Sequence, residues 1–202
     1  MFDVMDMLIA LPGILIGLSF HEFAHAYVAY LMGDDTAKRE GRLSLNPLRH
    51  IEPIGFLMLM IAKIGWARPV PVREDNFENK KLGIFLVSIA GIVMNLILAF
   101  VFTMILRYTA ESLGDSPLFE VLVMAIIINV SLATFNLLPI PPLDGYRILS
   151  SVLPAHYRYK MYPLERYSMV VLFLLASSGA LDRILDPMFN SVLGVLMNFF
   201  YA

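Results

Sequence analysis

The sequence predicts an all-α, polytopic membrane protein with about five spanning helices and a re-entrant or strand-like segment between the first and second. Three observations carry this. Of 202 residues, 58% are hydrophobic and 16% charged, with a mean hydropathy of +0.72, whereas soluble domains are about a quarter charged. Several uncharged runs approach or exceed the roughly 20 residues that cross a bilayer core. The basic residues between the runs divide unevenly between two sides once the runs are treated as crossings. The chain reads as one membrane-embedded domain over residues 1–202, with a core at 4–145 and C-terminal helices in 146–202.

The first run, residues 4–32, has no charge from Met7 to Phe20 and then carries His21-Glu22-Phe23-Ala24-His25. Residues 53–62 are apolar but only ten long before Lys63, which suits a dip into the membrane better than a crossing. Residues 82–106 and 121–143 are uncharged throughout. Residues 167–181, extendable back to Pro163, read as a fourth span, and 187–202 as a last one. If 53–67 crossed, the loops would hold nine basic residues on one side and six on the other. If it dips and returns, thirteen fall on one side and only Arg107 and Arg183 on the other. The positive-inside rule selects the dip, and places the acidic N-terminus outside the cytoplasm. This predicts a multi-pass membrane protein.

Composition also excludes. Cysteine is absent, so any metal is held by His and carboxylate. A net charge of −2 offers nothing to nucleic acid. The N-terminus lacks the basic region and small-residue cleavage site of a signal peptide, lipidation signals are missing, and no internal repeat is visible.

His21 and His25 are four apart, so on a helix they share one face and can address one metal ion. Glu22 lies beside that face, within reach of a water on the metal. His-Glu-x-x-His is the zinc-peptidase pattern for this reason. On a soluble helix two such histidines are ordinary surface residues. Within an apolar run each polar group has to be compensated, which favours a site. Catalytic zinc takes three protein ligands and keeps an open position. Asp144 is the best third ligand: Pro139, Pro141 and Pro142 cannot continue a helix, so the backbone opens beside it. Gly145 reads as a turn glycine. The structural alternative is a Pro-rich helix exit with Asp144 as an N-cap. Asp34, Asp35 and Glu52 are weaker candidates, the first two reading as a solvated turn after Gly33. His50 reads as structural and His156 as solvated. The stretch 147–166 reads as an amphipathic interfacial piece near anionic lipid.

These residues together resemble the site-2 protease family of intramembrane zinc metalloproteases. His21-Glu-Phe-Ala-His25 matches its His-Glu-x-x-His, and Asn136 through Gly145 matches its Asn-x-x-Pro…Asp-Gly motif. Gly41-Arg-Leu-Ser-Leu-Asn-Pro47, Pro53-Ile-Gly55 and Gly65-Trp-Ala-Arg-Pro-Val-Pro-Val72 are similar to the compact microbial branch lacking PDZ and CBS domains. Ala90-Gly91-Ile92-Val93-Met94-Asn95 resembles that branch's Ala-Gly-Pro-x-x-Asn, with Ile92 in place of Pro. The resemblance implies one Zn2+ per chain within the bilayer, held by His21, His25 and Asp144 and open to the cytoplasm. It implies Glu22 as general base, and substrates that are membrane-spanning segments of other proteins. Asn136 and Asn95 are expected to bind substrate or support an extended edge from residues 41–72, or else to bond helices together. A regulatory or substrate-delivering membrane protein is a further expected partner. The competing class is a zinc transporter or a zinc-binding membrane scaffold.

Overall fold

Backbone N–H and C=O groups in hydrocarbon find no partner except one another, so long apolar runs become helices. The computed structural model describes residues 4–62, 65–114, 116–154, 156–157 and 165–201. Its helices are α1 (Val4–Leu31), α2 (Thr36–Arg39), α3 (Pro53–Ala62), α4 (Lys80–Leu113), α5 (Pro117–Asn136), α6 (Asp144–Val152), α7 (Ser168–Ser177) and α8 (Ala180–Tyr201). Four of them, α1, α4, α5 and α8, are long and apolar enough to cross a membrane.

An all-α polytopic membrane protein is what the sequence predicts, with four such helices among the described residues beside the expected count of about five. The run at 167–181 yields α7, whose 10 residues reach only about 15 Å, half a bilayer core. The last span begins at Ala180 and takes Pro187 into its interior. The third run also ends early, at Asn136, because the prolines beyond it cannot carry the helix to residue 143. Lys63 lies outside the described residues, as do residues 155 and 158–164 of the interfacial stretch expected over 147–166, among them Arg158, Lys160 and Pro163.

α1, α4 and α5 pack as a three-helix core, with α8 against α4 and α5. Close approach of α1 to α5 depends on a bare stripe. A Cβ at Gly13 would lie 2.8 Å from Ala125 Cα, and one at Gly17 would lie 2.9 Å from Leu132 Cδ1. Ala99, Leu106, Leu122, Ile126 and Val130 fill the α4–α5 seam, closed by Leu196 of α8. Leu138 and Leu143 meet Leu181, which brings the start of α8 to the end of α5 where the helix breaks.

Between α1 and α4 the chain makes an excursion. Asn46 caps a 3-10 turn at Pro47–Arg49, accepting from Leu48 N–H. Ile51 and Ala67 then form an antiparallel bridge, with Arg68 N–H donating to His50 O at 2.8 Å. The two ends of α3's detour therefore meet, and a segment that leaves and returns at one place does not cross. Among the described residues this single bridge is the only strand-like pairing in the excursion. Glu52 is spent capping α3, its Oε2 accepting from Gly55 N–H. His50 is buried and donates Nε2–H to Ser44 O at 2.6 Å, a structural role. His156 is exposed and rests on the Tyr157 ring.

Asp34 departs from the solvated turn expected of it. Gly33, at φ +104°, turns the chain back under the end of α1, and Asp34 is 0% exposed. Its carboxylate accepts from Thr36 N–H, Thr36 Oγ1–H, Arg73 N–H and Asn76 Nδ2–H. It thereby ties both ends of the excursion together. Asp35, by contrast, is a surface partner of Arg39. Burial alone would raise the Asp34 carboxyl, but the bonds from Thr36, Arg73 and Asn76 outweigh it and hold it below the ordinary carboxylate value. A lowered folded pKa stabilises above the unfolded value and is lost as pH falls. Thermal melts in detergent should therefore lose stability from about pH 4 downward, and Asp34→Asn should flatten that limb. Asp34→Ala, which strands several buried donors, should cost roughly 2–4 kcal/mol in the same assay.

Candidate metal centre

His21 and His25 stand on one face of α1, one turn apart, and point toward α4. His25 Nδ1–H donates to Val87 O at 2.7 Å. His21 Nδ1 lies 2.7 Å from Asn95 Oδ1, which can only accept. Both rings therefore carry their proton on Nδ1 and present a bare Nε2. The Nε2 atoms are 2.9 Å apart, and each is 3.2 Å from Asp144 Oδ2.

Asp144 arrives from the break after α5. Leu138 N–H donates to Phe135 O, Ile140 N–H to Leu138 O and Leu143 N–H to Ile140 O, a run of tight turns through the prolines. α6 then starts at Asp144 itself. Gly145 is not a turn residue as expected. It lies in the first turn of α6, and it is glycine because a Cβ would collide with the Leu137 and Leu138 carbonyls. That contact seats Asp144 over the His pair.

Three lone-pair donors, two nitrogens and a carboxylate oxygen, converge on one point in a buried site. All three residues offer ligand atoms within 4.8 Å of one another. Asp144 Oδ2 is buried and accepts no hydrogen bond. Three such atoms repel unless positive charge sits between them. Tetrahedral zinc with bonds of about 2.0–2.1 Å has ligand–ligand edges of about 3.3 Å, close to the separations of 2.9, 3.2 and 3.2 Å. The donor set and its spacing fit zinc. The wall opposite is Gly91 of α4, where a Cβ would lie 2.5 Å from both His21 Cε1 and His25 Nε2.

Glu22 opens onto a cleft of about 240 Å³ that is also lined by Val70, Ser88, Asn136, Pro142 and Arg147. Its Oε2 accepts from Val70 N–H at 2.8 Å. The segment bearing Val70 is pinned by Arg42, whose buried guanidinium donates Nη2–H to Arg68 O at 2.5 Å. Burial first, then the neighbouring Arg68 charge, lowers the Arg42 pKa against the pull of Glu22 and Glu40. Asn136, the last residue of α5, lines the cleft and donates Nδ2–H to Leu132 O. Asn95 is 0% exposed and engaged with His21 rather than with the cleft.

Sequence reasoning brought together His21, His25, Asp144 and Glu22; it quoted Gly91 and Arg42 only as parts of motifs, without a role, and passed over Ser88. Arg42 carried a legible signal, a cation between glycine and apolar residues. Ser88 carried none. Its hydroxyl is buried without a partner, whereas Thr103, Thr109 and Ser112 of the same helix each bond a carbonyl of the preceding turn.

Residues 111–178, which include Asp144, match the model of peptidase family M50. Three similar chains are named "Putative zinc metalloprotease". YwhC of Bacillus subtilis is 41% identical, over 94% of this chain and 89% of its own length. Rip2 of Mycobacterium tuberculosis is 32% identical, over 85% of this chain and 68% of its own. MJ0611 of Methanocaldococcus jannaschii is 30% identical, over 73% and 72%. No solved structure matches the chain.

Gly91→Ala tests the closeness of the wall. Its Cβ should push the imidazoles apart, and metal analysis of the purified protein should show zinc content falling at least tenfold while the protein stays folded.

Proposed function

The chain belongs to peptidase family M50, the site-2 proteases, and is a multi-pass membrane zinc metalloprotease; on that premise we propose that it cleaves peptide bonds in or near the membrane-spanning segments of other proteins. The observation that carries this reading is the convergence of His21 Nε2, His25 Nε2 and Asp144 Oδ2, with Glu22 beside them, in a cleft walled by spanning helices.

His21, His25 and Asp144 would hold one zinc per chain. Zinc bound there supplies Lewis acidity, polarising the scissile carbonyl and lowering the pKa of water toward about 7. Glu22 takes the proton of the attacking water and passes it to the leaving amine. The Val70 N–H holds one oxygen of Glu22 in place, which fixes the direction in which the carboxylate faces. Asn136 sits at the cleft mouth as a donor or acceptor for substrate backbone.

A substrate helix hides its carbonyls in i to i−4 bonds and has to unwind to be cut. The segment from Arg68 to Val72 is the edge on which we place pairing with an unwound chain. Arg42 consumes the carbonyls of Arg68 and Pro69, and Glu22 consumes Val70 N–H. Val70 C=O and Val72 N–H carry no bond to another described residue, and both residues line the cleft. Val72→Pro, which deletes that donor, should lower kcat/KM about fivefold with zinc content unchanged.

Charge bias in the sequence supports an orientation: with α1, α4, α5 and α8 taken as the crossings, the loops of the sequence group Arg183, near the start of α8, with the other basic residues and leave Arg107 alone on the far side. The basic side is the cytoplasmic one, with the N-terminus outside the cell membrane and the zinc cleft near the cytoplasmic end of α1 and α5. Selection of substrates then falls to spans, short loops or a separate membrane partner.

Glu22→Gln separates protease from transporter or scaffold. New N-termini in the membrane proteome of expressing cells, compared between wild type and Glu22→Gln, should include fragments starting within or beside spans only with wild type, while both proteins keep zinc. Identical profiles from two well-expressed, zinc-loaded proteins would overturn the protease reading.

A further inference from the structure

Behind His21 lies a chain of amides that the proposed chemistry does not use. His21 Nδ1–H donates to Asn95 Oδ1 at 2.7 Å. Asn95 Nδ2 donates to Gly17 O at 3.1 Å and to Asn129 Oδ1 at 3.0 Å. Asn129 Nδ2 donates to Ala125 O at 2.9 Å. Asn95 and Asn129 are each 0% exposed. The series joins α1, α4 and α5 across the core and runs head to tail.

Its direction is forced. Gly17 O and Ala125 O are backbone carbonyls and can only accept, so the groups facing them are the NH2 ends of the two amides. Asn129 then turns its oxygen to Asn95, and Asn95 turns its oxygen to His21. An imidazole facing an acceptor keeps its proton on that nitrogen, leaving Nε2 bare for a metal. Were Asn95 reversed, its NH2 would face His21 Nδ1, the proton would move to Nε2, and the ligand would be lost. Ligating histidines are held by such partners, and their loss typically weakens metal binding about 10–100-fold.

We propose that Asn129 is a positioning residue for the zinc site: it locks the Asn95 amide, and through it the ligating tautomer of His21. No sequence motif marks it, and it touches neither the cleft nor the metal ligands. Gly17 is the complementary feature. Its carbonyl takes one Asn95 proton, and its missing side chain makes room for Asn129, since a Cβ there would lie 3.1 Å from Asn129 Oδ1. The proposal rests on the zinc-site reading above but not on any substrate.

The test is zinc affinity in detergent, measured by competition with a fluorescent chelator, together with 15N NMR of the histidine rings in zinc-free protein. Asn129→Leu keeps the volume and removes the acceptor. Thr103→Val is the control, an equally buried polar residue of α4 that bonds only Ala99 O. Asn129→Leu should raise the zinc dissociation constant roughly tenfold and give His21 a mixed tautomer signal, while Thr103→Val matches wild type on both. Should Asn129→Leu not be recovered folded, Asn129→Ala removes the same acceptor without adding bulk, and should move both readouts the same way. Wild-type affinity and a pure Nδ1–H signal in the folded variants would overturn the proposal. A wild-type protein that takes up no zinc would instead overturn the metal site itself.

Discussion

Two imidazoles and a carboxylate lie within 3.2 Å of one another inside an apolar bundle, and the rest of the structure answers to that crowding. Water cannot dilute the repulsion of three lone pairs in such a place. Only a cation between them does, and only if each group is prevented from turning away. The Val87 carbonyl and the Asn95 amide prevent it for the histidines. For Asp144 the restraint is the seat of Gly145 on the Leu137 and Leu138 carbonyls. The helices are thus as much instruments for aiming side chains as they are membrane anchors.

Aiming at this accuracy requires close helices, and side-chain size limits closeness. Glycine stands at four such close approaches: Gly13 and Gly17 against α5, Gly91 against the His pair, Gly145 against the end of α5. Lipid supplies no hydrophobic drive to bring helices together, so packing and buried polar bonds hold them. Asn95 and Asn129 give one polar seam shared by all three core helices. The same contacts that assemble the bundle therefore orient the ligands.

What could be read in the chain was whatever leaves a local mark. His21 and His25 sit four residues apart with Glu22 next to the first, directly after an uncharged run, and the prolines announce the break before Asp144. The dip at 53–62 was visible because charge bias is a property of whole loops. What could not be read depends on residues distant in sequence. Asp34 looks like a surface turn beside Gly33, and only the return of residues 73–76 buries it. The 167–181 run is apolar enough for a span, yet α7 stops at Ser177 and α8 starts on the same side, since Leu181 packs on Leu138 and Leu143. Gly145 was placed as a turn residue because the neighbour it makes room for belongs to another element. Asn129 has no pattern around it at all.

The Ile51–Ala67 bridge has a consequence for how such a protein diversifies. Residues 52–66 are joined to the body through a narrow neck whose two sides are already paired. Lengthening or replacing what lies beyond a closed neck carries little entropic penalty and does not move the neck. The segment that follows, from Arg68 to Val70, is fixed separately by Arg42 and Glu22. Natural variation therefore has a compartment in which to work: the dipping piece can be exchanged for longer, shorter or differently shaped ones while the Glu22 carboxylate stays where it is.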